Sequence, residues 1–158
     1  MPLIVGNLLT DPAANSFISL VDAVDYLADE ASGALPPSGL DEWLTAAESD
    51  KESSLVRASR WLAVSMPWCC KTLSDGDLIR VGHVAARLAV QALTTDLWAA
   101  PATGKDAKRY KAGSVEVEYH SPTTVRGAQA GGRRFPWVYP MLKGLLCGTG
   151  GQHDVVRR

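Results

Sequence analysis

The sequence predicts a mainly helical fold, a small bundle with an attached β-hairpin and a flexible C-terminal tail. Three observations carry that prediction. Apolar residues recur at helical spacing in several separate segments, the longest running from Asp77 to Ala99. The period then changes from 3.6 to 2 over Val115-Glu116-Val117-Glu118-Tyr119. Beyond Cys147 no apolar periodicity remains, and three glycines fall within Gly148-Thr149-Gly150-Gly151, a segment with too little apolar area to offset the entropy of ordering itself. The expected organisation is a helical domain over residues 1–147, with its hairpin at about 107–120, followed by a tail over 148–158.

The elements follow in order. Leu3-Ile4-Val5 is a short β-prone run that stops at Gly6-Asn7. Ser19 with Asp22 three residues on forms a capping-box pattern, which predicts a helix from Leu20 to Ala31 with Val24, Tyr26 and Leu27 on its apolar side. Leu35-Pro36-Pro37-Ser38-Gly39 is the loop after it. A short amphipathic turn at residues 41–47 carries Trp43 and Leu44, and Ser49-Asp50-Lys51-Glu52 reads as a second capping box. Leu55, Ala58, Ser59, Leu62 and Met66 then give one narrow core face, ended by Pro67.

The long helix has two apolar rows, Leu78, Val81, Ala85, Leu88 and Ala92 on one side and Ala86, Val90, Leu93 and Leu97 on another. A helix apolar on most of its circumference is covered on two sides, so this one is predicted to be central. Its polar wedge, Arg80, His83, Arg87, Gln91 and Thr94, reads as a solvated face. Ala112-Gly113 lies between Lys108-Arg109-Tyr110-Lys111 and the alternating strand, the pattern of a hairpin. Gly127 to Gly132 is a linker, and after Arg133-Arg134 the apolar positions Val138, Leu142, Leu145 and Leu146 suggest a short terminal helix.

Composition excludes some classes. Of 158 residues, 46% are hydrophobic and 21% charged, the balance of a packed globular chain rather than a disordered one. Sixteen basic against seventeen acidic residues give a net charge of −1, which provides no chain-wide attraction for DNA. Cys69, Cys70 and Cys147 form no C-x-x-C pair and are expected to be reduced thiols. The N-terminus lacks the charged start and apolar core of a signal peptide, and no apolar run reaches the ~20 residues that span a membrane, so a soluble, non-exported protein is expected.

No constellation for catalysis emerges. His83, His120 and His153 have no partner at metal-ligand spacing, and the sequence contains no G-x-S-x-G elbow, Walker loop or dinucleotide glycine motif. Acidic pairs such as Asp29-Glu30 and Asp41-Glu42 lie near helix ends, where carboxylates commonly serve the helix itself. The expectation is a protein that is not an enzyme and holds no cofactor or metal. Trp43, Trp61, Trp68, Trp98 and Trp137 read first as core and interface anchors. Base stacking is the alternative, and it needs a basic groove. Lys105, Lys108, Arg109 and Lys111 are the best patch for one, although Glu116 and Glu118 on the adjoining strand mix the local field. Lys108, Arg109 and Lys111 are therefore candidate partner-binding residues, together with Val155, Val156, Arg157 and Arg158, where a β-prone pair could add a strand to a partner while two guanidiniums meet carboxylates.

In this order the motifs resemble a family of tailed-phage proteins, the head-tail adaptors or connectors, often labelled DnaT-like single-stranded DNA-binding proteins. Asn15-Ser16-Phe17 with the helix after it is similar to the family's opening segment, and Leu55-Val56-Arg57-Ala58-Ser59-Arg60-Trp61-Leu62 to its second helix. Ala86-Arg87-Leu88-Ala89 resembles the third helix, Lys111-Ala112-Gly113-Ser114-Val115-Glu116-Val117-Glu118-Tyr119 the Lys-x-Gly strand, and Phe135-Pro136 the closing segment. The short connection from Met66 to Gly76, holding the Cys69-Cys70 pair, departs from the longer Trp-Pro loop common in the family. The resemblance implies a structural subunit made in the bacterial host cytoplasm and placed at the head-tail joint of the virion. There it would form a homo-oligomeric, dodecameric ring between the portal protein and a stopper or tail terminator protein, with packaged DNA passing through the lumen and no membrane involved. The alternative carried by the older label is a single-stranded DNA-binding module of phage replication.

Overall fold

The computed structural model describes residues 2–33, 36–99, 109–112, 115–118 and 135–147. They form a mainly helical body in the order α1 (Leu20–Ala31), α2 (Leu40–Thr45), α3 (Glu48–Ser65), α4 (Asp75–Thr94), β1 (Arg109–Ala112), β2 (Val115–Glu118) and α5 (Val138–Met141). α3 makes the most extensive packing against α4, and α1, α2 and α5 also lie on α4. This is the central position that the two apolar rows imply: Val81, Val84, Ala85, Ala86, Leu88, Ala89, Val90 and Ala92 are all buried.

Local sequence explains most helix starts. At α1 the Ser19 hydroxyl accepts a hydrogen bond from the Asp22 amide at 3.1 Å and donates to the Asp22 carboxylate at 2.6 Å. α4 repeats the device one element later than the sequence reading placed it. Ser74 caps it, accepting from the Asp77 amide at 3.3 Å and donating to the Asp77 carboxylate at 2.6 Å, so the helix begins at Asp75 rather than Asp77. It also ends earlier than Ala99. Thr95 is extended, and the Asp96 side chain accepts from the Trp98 amide at 2.9 Å, a local turn that competes with continued helix.

The start of α3 corrects the second capping box. The helix begins at Glu48 with Ala47 as its N-cap and no side-chain cap bond, so Ser49 lies inside it. Tertiary contacts organise this corner instead. Trp43 is fully buried, its indole N–H donates to Ser54 Oγ at 2.8 Å, and the Lys51 ammonium lies 5.6 Å from its ring centre while donating to the Leu44 carbonyl at 2.7 Å. The predicted core face of α3 is buried throughout, at Leu55, Ala58, Ser59, Leu62 and Met66.

Leu3-Ile4-Val5 does not become a strand. It makes a single parallel bridge, Val5 with Ser16, and Asn15 holds it by accepting from the Ile4 amide at 2.8 Å and donating to the Pro2 carbonyl at 3.0 Å. The terminal helix is likewise shorter than its apolar pattern suggests. Gly144 adopts φ 90°, a left-handed conformation that ends helical continuation, and the chain then runs back along 67–69. Cys69 N–H donates to the Leu145 carbonyl at 3.0 Å, Cys147 N–H donates to the Pro67 carbonyl at 2.7 Å, and Trp68 and Leu146 form an antiparallel bridge.

That pairing brings the Cys69 and Cys147 Cα atoms to 4.7 Å, and the two side chains form a disulfide. The expectation of three reduced thiols is thus corrected, because partners 78 residues apart become neighbours only through a backbone pairing that spacing does not reveal. Cys70 is exposed and free.

β1 and β2 pair antiparallel with Arg109 opposite Glu118, Tyr110 opposite Val117, Lys111 opposite Glu116 and Ala112 opposite Val115. The segments that would attach this pair to the helices, and the predicted tail at 148–158, lie outside the described residues. No helix among the described residues is long and apolar enough to cross a membrane.

Candidate functional site

The polar wedge of α4 is where the sequence reading and the structure differ most. Arg80 and Thr94 are exposed as expected, but His83, Arg87 and Gln91 are partly covered. His83 stacks on Tyr26 of α1, with ring centres 4.1 Å apart and planes 4° from parallel. The Tyr26 hydroxyl donates to Glu30, and Glu30 pairs with Arg87 at 3.1 Å. Arg87 continues the chain, its guanidinium 5.0 Å from the centre of the Trp137 ring. Arg80 donates to the Met141 and Lys143 carbonyls at 3.0 and 3.1 Å, and Gln91 donates to the Ser38 carbonyl at 3.1 Å. These side chains dock α1, the 36–39 loop and the closing segment onto the central helix. Burial first, and the adjoining Glu30 carboxylate second, push the Tyr26 hydroxyl well above the ordinary tyrosine range, so it stays a donor.

Beside this network a cleft of about 620 Å³ opens between α1, the first turns of α4 and the 17–19 segment. Its apolar lining includes Phe17, Ile18, Leu78 and Ile79. Gly82 allows the close crossing: a methyl group there would lie 3.2 Å from Ile18 Cβ and 3.3 Å from the Phe17 carbonyl. Along the rim stand Asp22, Asp25 and Asp29, spaced i, i+3 and i+7 on one face of α1, and among the described residues no lysine or arginine lines the cleft. Such a cavity suits an apolar group carrying positive charge and repels phosphate. No cluster of three or more metal-ligating side chains occurs among the described residues.

The candidate partner-binding residues divide into two groups. Arg109 and Lys111 lie on β1, each at a register position opposite a glutamate. Lys108, Val155, Val156, Arg157 and Arg158 lie outside the described residues. Among the tryptophans, Trp43 and Trp61 are core residues, Trp68 and Trp137 pack partly buried against the core, and Trp98 is 56% exposed.

No curated protein and no solved structure matches the chain. A family model described as "Putative DnaT-like ssDNA binding protein" matches residues 80–158. The match contains the Ala86-Arg87-Leu88-Ala89, Lys111-to-Tyr119 and Phe135-Pro136 segments and leaves out the opening segment and α3. The division also exposes a signal that whole-chain charge conceals. Residues 80–158 hold twelve Lys and Arg against five Asp and Glu, a net +7, whereas residues 1–79 hold four against twelve, a net −8. Counting by halves rather than over the chain reveals the asymmetry directly. With half of its length matched, the chain belongs to this DnaT-like family.

Proposed function

We propose that the chain is a binding protein whose residues 80–158 engage single-stranded DNA. The observation that carries this reading is the net +7 of the family-matched half, set against the near-neutral chain as a whole. Phosphate neutralisation supplies most non-specific affinity for nucleic acid, and a local basic surplus serves it as well as a global one. Arg80 and Arg87 are committed to contacts within the body. The surplus available for DNA is therefore concentrated in 105–134, where Lys105, Lys108, Arg109, Lys111, Arg126, Arg133 and Arg134 face only Asp106, Glu116 and Glu118 in the charge count. Tyr110 and Tyr119 interleave with these residues and provide rings on which bases stack.

Fluorescence anisotropy with a labelled oligothymidine tests it. Binding should weaken linearly in log–log plots against salt, with a slope near −0.7 per phosphate contacted and a total of about −2 to −3. Replacing Arg133 and Arg134 by Glu should reduce affinity at least tenfold. Absence of binding at low salt, or binding indifferent to both salt and the double substitution, overturns the proposal.

A second reading, that of a head-tail adaptor, is favoured by the other half. Residues 1–79 carry a net −8, the acid-rimmed apolar cleft and exposed Val21 and Val64, at 69% and 73% exposure, which suit protein contacts better than phosphate. On this reading the chain is a non-enzymatic, cofactor-free virion subunit in a ring joined to portal and stopper or terminator proteins. Immunogold labelling of virions discriminates the two: gold at the head-tail joint supports the adaptor, and its absence from virions removes it.

A further inference from the structure

We propose that the α1–α4 cleft is the docking site for residues 155–158 of the same chain, Val155-Val156-Arg157-Arg158. The chemistry of the two partners is complementary. The cleft offers an apolar lining, with Ile79 60% exposed, beside carboxylates of which Asp25 and Asp29 have no hydrogen bond or ion pair among the described residues. The segment offers two β-branched apolar side chains followed by two guanidiniums, each able to take a carboxylate in bidentate fashion. Asp22 and Asp29 are seven residues apart, roughly 10 Å along the helix, a row long enough to receive both arginines.

Chain length allows the same copy to serve. The described backbone ends at Cys147, whose N–H donates to the Pro67 carbonyl; the next residue, Trp68, has its ring centre 6.4 Å from that of Phe17, which lines the cleft. From Cys147 to Val155 there are eight residue steps, at most about 27 Å when extended. Gly148, Gly150 and Gly151 in that stretch permit a sharp reversal. The acidic half of the protein thereby holds a basic segment of its own family-matched half.

Paramagnetic relaxation in the full chain tests the proposal. A nitroxide is placed on a cysteine introduced by His153→Cys in a Cys70→Ser background, and amide intensities are compared with those of the reduced label. Signals of Asp25, Asp29 and Ile79 should lose more than half their intensity, and the double reversal Asp25→Lys, Asp29→Lys should restore them. The milder Asp25→Asn, Asp29→Asn pair, at exposed positions, should restore them in part and guards against misfolding of the reversal. Full intensities in the unsubstituted cleft overturn the proposal, as does a loss that survives charge reversal. A loss of the same size when spin-labelled, unenriched chain is mixed with isotope-enriched, unlabelled chain places the segment in a neighbouring copy and overturns docking within one chain.

Discussion

Tyr26 shows how one side chain can tie two helices to the protonation state of the protein. Its ring lies on His83 and its hydroxyl donates to Glu30, which in turn holds Arg87. The hydroxyl therefore loses its proton less readily in the folded chain than in the unfolded one, where the ordinary value is about 10. A group whose folded pKa is raised contributes stability that is complete below the unfolded value and is lost as pH rises toward the folded one. At neutral pH, Tyr26→Phe should cost about 1.5 kcal/mol, the lower end of the net worth of a hydrogen bond to a charged acceptor, as befits a partly buried position. The deficit should shrink as pH rises beyond 10, because the unsubstituted protein then loses what the variant already lacks. Urea midpoints for both proteins at pH 7, 9 and 10.5 measure this; a constant difference across the series would assign the tyrosine a packing role alone.

At the scale of elements, α4 is the part whose packing leaves least freedom. It meets α3 along one side, while the 17–18 segment crosses it at Gly82, with Ile18 Cβ and the Phe17 carbonyl only 3.2 and 3.3 Å from where a side chain would begin. Introducing Leu there gains helix propensity but forces the crossing segment away, and overpacking of this kind costs about 1–3 kcal/mol. The expected result for Gly82→Leu is a lower melting temperature together with altered amide signals at Ile18 and Ile79, next to the cleft. An unchanged melting temperature would mean that the N-terminal segment yields freely. The helix ends divide differently: Ser19 and Ser74 set theirs locally, whereas α3 depends on Trp43, Lys51 and Ser54 meeting across a corner.

For the molecule as a whole, the Cys69–Cys147 bond closes the closing segment onto the loop after α3 across 78 residues. Loops of that length remove substantial entropy from the unfolded chain, and such bonds typically contribute about 2–4 kcal/mol. Reductant should lower the stability of the protein by that order and leave a Cys147→Ser variant unaffected, as read from urea unfolding with and without dithiothreitol. Equal response of both proteins would show that the bond adds nothing to stability. The same scale holds the charge division along the sequence, −8 before Arg80 and +7 from it onward, which the net −1 of the chain conceals. The two stretches of sequence suit different partners, phosphate for one and cationic or apolar groups for the other.

The sequence by itself determined the helical class, the bounds of α1, the buried face of α3 and the central role of α4, because capping boxes and apolar periodicity act within a few residues of one another. Only the tertiary structure decided the rest. The wedge from Arg80 to Gln91 has the composition of a solvated face, and nothing local says that Tyr26, Glu30, Trp137 and the Met141 carbonyl will come to meet it. Likewise the cleft needs Ile18, Ile79 and three α1 carboxylates to line one space, a convergence of segments about sixty residues apart in sequence. Long-range juxtaposition of this kind is set by how helices cross, and the energies that fix a crossing are spread over many buried contacts rather than written in any single motif.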